Sequence, residues 1–535
     1  MFKKLLNLLY LAIVVAIPFI FRRSEVQLVP TSPDEVIVII TAHNETLRSE
    51  YGRGFMEWYR QKTGKTVTID WRHPGGGRDV SRYIDSMFMN NFRFHWEHVL
   101  QKPWGQKERA IFAQLENIKK DDPDPIAREL KEIFLASDIG CGVDLLFGGG
   151  VFDHKVQGAK GYTVPSGFIA LHPELFNDDA IPEFFAGERL WDADSRWIGG
   201  SLSSFGIIYN SDAVRALGTH PPITWMDLAD PRYIGGIAIV DPTKSSSTLK
   251  SYEMLIQQQM QIAYARSGDE SQAIREGWLA GLQLIQKIVA NGRYMTDSSA
   301  QTVLDVSEGN CPVGIATDFY GRSEQSNIAA RGGKSRFHFV IPQAGCSPSP
   351  DPISLYRGAK HRELAIAFLE YVLTLPGQQL LAYKVGVPGG PQHTPLCRAP
   401  ILKTVYQSEF LENFDNPDVN PYREAANFTY REAWTKPVFR ALGLIFKMAF
   451  LDPEDLLHKA WSRIQKAYQS GRHEDANRAL AVMQNLELFV YDRVITEVMP
   501  ETRNKDYLKA IQYQTDIANH FREQYRRAAE IAKGH

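Results

Sequence analysis

An α/β fold with a helical region behind it is what the sequence predicts, and three observations predict it. Strand-like and helix-like stretches alternate from residue 36 onwards, as in "EVIVIITAHNETLRSEYGRGFMEWYRQKTGKTVTIDWRHPGGGRDVSRYI", and that alternation means a sheet covered by helices. Glycine-rich or hydroxyl-rich loops follow several of the strands, at "GGG" 148–150 and at "KSSST" 244–248. From about Pro400 to His535 the strand signals stop and helical periodicity takes over.

The chain has 535 residues, 44% hydrophobic and 23% charged, the balance of a globular protein with more than one domain. Its 60 lysines and arginines stand against 62 aspartates and glutamates, so no overall field selects a nucleic acid or an acidic polymer as partner. Cys141, Cys311, Cys346 and Cys397 lie far apart without Cys-x-x-Cys spacing, which excludes a thiolate metal knuckle or redox motif. A Cys311–Cys346 bridge is open in an oxidising compartment, but free buried thiols are expected.

Taken in order, residues 1–25 carry Lys3 and Lys4, an apolar run from Leu5 to Phe21, then Arg22 and Arg23. That is an export signal or a short membrane anchor, with no small-x-small cleavage site behind it. The remainder is expected to work outside the cytoplasmic membrane, in the periplasm or at the membrane's outer face. Val36 to Thr41 is β-branched and reads as a strand buried on both faces. Leu47, Phe55, Trp58 and Tyr59 mark an amphipathic helix that Gly64 closes, and Thr66 to Trp71 is the second strand. Residues 92–133 loosen into an insertion before "GVDLLFGGGVFDHKVQGAKG" restores strand, glycine loop and helix. A second α/β segment contains the strand Ile237 to Val240 and a long helix from Thr248 to Arg266. In the last region Asp452 is read as a helix cap, Pro453 as its first turn and Gly471 as its stop.

The stretch "VDPTKSSSTLK" raises the question of nucleotide hydrolysis. A phosphate-binding loop of that kind needs glycines six and one residues before its lysine, and Ala238 and Thr243 stand there instead. What remains is a hydroxyl-rich turn opening a helix, either a plain serine cap or an anion seat.

Six stretches in order, "IITAHNE", "VDLLFGGGVFDH", "GGSLSSFGIIYN", "TWMDLADPRYIGGIAIVDPTKSSST", "VGIATDFYGR" and "ELAIAFLEYVLTLPGQQLLAYKVGVP", resemble the solute-binding proteins of ABC importers, in the group associated with ferric iron, sugar phosphates and similar small anions. The resemblance spans residues 36 to 395. It implies the type II periplasmic-binding-protein fold: two α/β lobes joined by a crossover hinge and closing on a solute by hinge motion. Lobe one would hold 36–200 and 352–395, lobe two 201–351, with 400–535 a helical extension. It also implies a small-molecule solute, a membrane permease as partner, and a monomer.

Candidate solute contacts follow from the rule that ligands gather beyond the carboxyl ends of strands. His43 and Asn44 follow the first strand, and Asn44 is equally a helix cap. Gly148, Gly149 and Gly150 follow the third, where they admit a ligand to the backbone or merely turn the chain. Ser245, Ser246, Ser247 and Thr248 form the lobe-two turn, with Asp318 and Tyr320 after "VGIAT". Ser203 and Ser204 lie in the crossover and are also ordinary strand serines. Iron-binding members present two adjacent tyrosines, and here the pair is Phe319 and Tyr320, so iron(III), held by Tyr320 and His43, fits less well than a phosphate ester or carboxylate. No resident cofactor is expected. His95 and His98 in "HWEH" pair without a third metal ligand, and "DWRHPGGGRD" is either the rim of the cleft or only a loop. Trp191 and Trp197 either stack on a sugar or are buried. An enzyme on the same fold is the competing class, but Cys141 sits at the wrong end of its strand and no Ser, His and Asp set has usable spacing. A third class is a membrane-tethered sensor that uses the helical extension.

Overall fold

The computed structural model describes residues 33–332, 336–424, 427–502 and 506–534. The basic and apolar segment 1–25 lies outside the described residues. The chain runs β1 (Glu35–Thr41), α1 (Glu45–Thr63), β2 (Val67–Arg72), α2 (Gly77–Phe94), β3 (Leu145–Phe147), α3 (Val151–Lys160) and β4 (Thr163–Val164). A short hairpin of β5 (Phe184–Phe185) and β6 (Glu188–Arg189) precedes β7 (Ile198–Ser203) and β8 (Phe205–Asn210). Then come β9 (Ile237–Val240), α4 (Ser246–Ser267), α5 (Glu270–Ala290), β10 (Gly292–Thr296), β11 (Val313–Thr317), α6 (Asp318–Ala330), β12 (Phe337–Val340), β13 (Ser349–Tyr356), α7 (Arg362–Leu373), α8 (Leu375–Ala382) and β14 (Ala399–Pro400). The last long helices are α9 (Phe439–Phe446), α10 (Glu454–Gln469), α11 (His473–Met483) and α12 (Tyr507–Lys533).

Two sheets result. The first has the order β14-β7-β13-β3-β1-β2, with β4 also on β13, and the second has the order β10-β9-β11-β8-β12. β1 is parallel to both β2 and β3, with Ile39 opposite Trp71 and Leu145, so their carboxyl ends share one edge. β9 is parallel to β10 and β11. The chain crosses between sheets twice, at Ser204 between β7 and β8 and again between β12 and β13. Two α/β lobes joined by crossovers are therefore present, with a helical C-terminal region beside them.

β1 is buried because Ile37, Ile39 and Ile40 face helices on both sides, as its β-branched run requires. The insertion does not loosen. α2 continues to Phe94 and passes into a π-turn, His95–Val99, and Phe92, Trp96, Phe112 and Phe134 close a buried aromatic layer beneath lobe one. The π-turn also breaks the spacing that would have set His95 and His98 one above the other. Among the described residues no cluster of three or more His, Cys, Asp or Glu can hold a metal. All four cysteines are free and buried. Trp197 is buried and Trp191 is half-buried, its indole N–H donating to the Ile181 carbonyl at 3.2 Å. α10 begins at Glu454 with Pro453 in the cap position, so the expected Asp452 cap is corrected: Asp452 instead accepts the Lys447 ammonium at 2.6 Å.

The C-terminal helices share one hydrophobic core with lobe two. Trp278 donates to the Phe489 carbonyl at 2.7 Å, Trp461 to Asn291 at 2.7 Å, and Gln286 to the Tyr525 hydroxyl at 2.9 Å. Residues 428–446 then reach back to lobe one. The Tyr430 N–H donates to the Ala186 carbonyl at 2.8 Å, and Gly187 sits beneath with φ +80°, where a Cβ would lie 1.9 Å from the Tyr430 carbonyl oxygen. Gly187→Ala adds left-handed strain to a backbone collision and is expected to lower stability by more than about 2 kcal/mol, read as a drop in the denaturation midpoint.

Candidate functional site

Between the two sheets lies a cavity of about 820 Å³, and loops at the carboxyl ends of β1, β2, β3, β9 and β11 supply its walls. Two groups of side chains occupy it.

The first is built on Asp351, a carboxylate inside the buried strand β13. His43 Nε2 donates to one oxygen at 2.7 Å, Arg398 to the same oxygen at 2.7 Å, and the Gly149 N–H to the other at 2.9 Å. Burial pushes the Asp351 carboxyl up, but His43, Arg398 and that N–H outweigh it and hold the group well below the usual carboxylate range. The Thr41 hydroxyl oxygen accepts the His43 backbone N–H at 3.0 Å, which leaves its own proton for Nδ1, also at 3.0 Å. His43 is thus the neutral Nε2–H tautomer, in keeping with burial pulling its pKa down. Its donor is already given to Asp351. Gly148, with φ +85°, packs against the His43 ring so closely that a Cβ would lie 2.3 Å from Cε1. Arg398 in turn lies over the Phe319 ring at 3.9 Å, beside Tyr320, whose phenol burial pushes up.

The second group is a meeting of helix N-termini. Gly76 begins α2 and donates its N–H to the Asp79 carboxylate at 3.2 Å, Gly150 begins α3 without a side-chain cap, and Ser245 begins α4 and accepts the Thr248 N–H at 3.2 Å. A Cβ on Gly77 would sit 2.6 Å from the Ser246 hydroxyl, and one on Gly76 would sit 3.4 Å from the Lys244 carbonyl, so the lobes touch here. Into this junction project Arg78 and Asp153. Burial raises the Asp153 carboxyl to about 6, against the pull of Arg78, the Gly150 backbone and the Ser246 hydroxyl. Burial also lowers Arg78, with Asp153 opposing.

Placed against the sequence reading, Ser203, Gly149, Gly150, Ser245, Ser246, Ser247 and Tyr320 stand at the wall, as does the "HPGGGR" loop. Asn44 spends its carbonyl capping α1 through the Leu47 N–H at 3.1 Å, although it too borders the cavity. Thr248 is spent within the Ser245 cap, its hydroxyl 3.1 Å from the serine oxygen. Ser204 and Asp318 lie behind the wall: the Ser204 N–H donates to Asp318 at 3.0 Å, and burial raises that carboxyl to about 6. The sequence reading flagged the loop that carries Arg78 without singling out that residue, and it missed Asp153, Lys250, Asp351, Arg398 and Arg440. Arg78 and Asp153 had a local signal, each a charged residue within three positions of a glycine run after a strand.

Three wall residues carry a buried polar atom with no partner among the described residues: Glu116 Oε2, Gln157 Nε2 and Thr317 Oγ1. The Tyr356 hydroxyl donates to Gln157 Oε1 at 2.7 Å and so fixes the amide that leaves Nε2 unmatched. Buried groups of this kind are normally satisfied.

A family model described as bacterial extracellular solute-binding protein matches residues 146–399. The phosphoglycerate transport regulatory protein PgtC of Salmonella typhimurium, and that of Salmonella typhi, are 25% identical over 182 residues, 34% of this chain. The match spans 40% of the length of those relatives. Among solved structures, the periplasmic binding protein AfuA from Actinobacillus pleuropneumoniae, with fructose-6-phosphate bound, is 16% identical, covering 76% of this chain and 97% of that one at a TM-score of 0.44. Iron-bound HitA from Pseudomonas aeruginosa is 14% identical, covering 76% of this chain and 98% of that one at a TM-score of 0.43. Over residues 146–399 the chain is thus similar to the bacterial extracellular solute-binding family.

Proposed function

We propose that the protein is the capture component of an ABC importer, working outside the cytoplasmic membrane, and that it takes a small phosphate ester into the interlobe cleft for delivery to a membrane permease. The observation that carries this is Arg78, a cation in no salt bridge among the described residues and faced by the Asp153 carboxyl, set at the wall where three helix N-termini, Ser246 and Ser247 meet. Backbone N–H groups, hydroxyls and a guanidinium make up a phosphate's natural donor set. The phosphoglycerate transport named for the curated relatives agrees with that chemistry. Ferric ion as cargo fits this wall less well. Phe319 replaces one phenolate, and burial disfavours ionisation of Tyr320.

The test is calorimetry of the full chain with 3-phosphoglycerate, fructose 6-phosphate and ferric citrate. A phosphate ester is expected to bind, and Arg78→Met to weaken it at least about thirtyfold, on the scale of a lost charge-assisted contact. Tight ferric binding with a visible charge-transfer band, and no response to either ester, would overturn the reading.

A further inference from the structure

The cations at the cavity wall are mostly spoken for. Lys160 pairs with Asp85 at 2.7 Å, Lys155 with Glu432 at 2.9 Å, Lys244 with Asp297 at 2.7 Å, and Arg398 with Asp351 at 2.7 Å. Lys436 is 3.4 Å from Glu432, but its side chain stands 70% exposed to water. Two guanidiniums remain. Among the described residues Arg78 has no ion pair, and the one carboxylate Arg440 meets is Glu116, at Oε1 and 3.4 Å. The other oxygen of Glu116 is buried and unmatched, so that pair leaves both sides incompletely satisfied.

Arg440 comes from α9, beyond the residues the family model matches. It is carried over the cavity by aromatic contacts: its guanidinium lies 5.3 Å from the Phe152 ring centre, and Phe152 packs on Phe439 at 4.9 Å. The same helix meets Arg78, whose Nη2 is 2.9 Å from where a Cβ on Gly443 would be. Residues 440 and 443 are three apart on one helix and so share a face. The two under-paired cations therefore border one short stretch of the cleft.

We propose that Arg440 is a solute contact supplied by the C-terminal segment, and that it binds the second anionic group of a two-ended solute whose phosphate lies at the helix N-termini beside Arg78. The solute class is a short phosphate ester that carries a carboxylate. This rests on the anion reading of the cleft given above, and it makes the cleft a site with three walls, two from the lobes and one from the segment 428–446.

The experiment is calorimetry of the full chain with 3-phosphoglycerate and with inorganic phosphate, which has only one anionic end. Arg440→Met is expected to weaken 3-phosphoglycerate at least tenfold and inorganic phosphate less than threefold. Glu116→Gln, which frees the guanidinium while keeping the side-chain shape, is expected to leave 3-phosphoglycerate binding unchanged or tighter. Thermal melts of both variants check folding. If both substitutions weaken both probes by the same factor, the pair is a structural bolt and the proposal fails. It fails also if neither substitution changes binding. If the wild-type chain binds neither probe, the anion reading falls and this proposal with it.

Discussion

Replacing Lys250 by methionine is expected to destabilise the protein by about 3–5 kcal/mol, the usual consequence of removing one partner from a buried ionic cluster. Lys250 rises from α4 between two carboxylates, Glu188 of the lobe-one hairpin at 3.1 Å and Glu253 of its own helix at 2.9 Å, with the Tyr430 ring 3.6 Å beneath its ammonium. Burial pulls the Lys250 pKa down, but Glu188 and Glu253 overrule it and hold the group charged, well above its ordinary value. The carboxylates are otherwise met only by hydroxyls: Ser347 donates to Glu188 at 3.2 Å, and Tyr430 to Glu253 at 2.9 Å. Without the lysine, two like charges stay buried side by side. Glu188 is already displaced upward by burial, so in the variant the pair takes up a proton as pH falls. The deficit measured by chemical denaturation is therefore expected to be smaller at pH 5 than at pH 8. An equal deficit at both pH values would mean that lost packing, not charge, dominates. Adding Glu188→Gln to Lys250→Met should recover part of the loss.

On the anion reading proposed above, Asp153→Asn is expected to tighten binding of inorganic phosphate about tenfold at pH 7.5, by taking a negative charge out of the cleft. At an effective dielectric near 20, two unit charges about 4 Å apart repel by ~4 kcal/mol, so even a partly screened effect is large. The wild-type carboxyl titrates near 6 because burial disfavours its charge. Below that pH it is neutral and repels nothing, so wild-type affinity should fall as pH rises from 5 to 7.5 more steeply than in the asparagine variant. Stability has the same sign. A carboxyl raised in the folded state favours folding while protonated, and that contribution is lost as pH rises from about 4 through 6. The asparagine variant should gain on the wild type across that window and keep a constant advantage above it. Phosphate titrations at pH 5.5, 6.5 and 7.5 check both statements, and parallel curves for the two proteins would remove Asp153 from the solute's path.

The sequence made some of this readable because the signals were local. The β-branched run at Val36 to Thr41 needs neighbours on both faces, and the structure supplies them with β2 and β3 in one sheet and helices above and below. The hydroxyl turn at 245–248 was open to two readings, and the structure shows the cap at Ser245 and Thr248, while Ser246 and Ser247 stand at the cavity wall where the anion-seat reading needs them. What stayed hidden depends on partners far along the chain. Nothing around Arg398 signals that it will meet Asp351 across a strand pair, and a helical stripe such as Leu457, Trp461 and Ile464 says that one face is buried, not that it is buried against lobe two. His43 was read as a solute contact, which its position after a strand suggests. Only the position of Asp351 shows where its proton points.

The shared core of lobe two and the C-terminal helices bears on timing. A chain delivered N-terminus first, whether from a ribosome or through a translocation channel, can pair β1 with β2 early, but Asp351 waits for Arg398, and the apolar face of α5 waits for Trp461, Phe489 and Tyr525. The segment bearing Tyr430 and Arg440 arrives later still than β14. The cavity is then completed at the close of maturation rather than lobe by lobe, and an unfinished chain would leave the apolar face of lobe two uncovered.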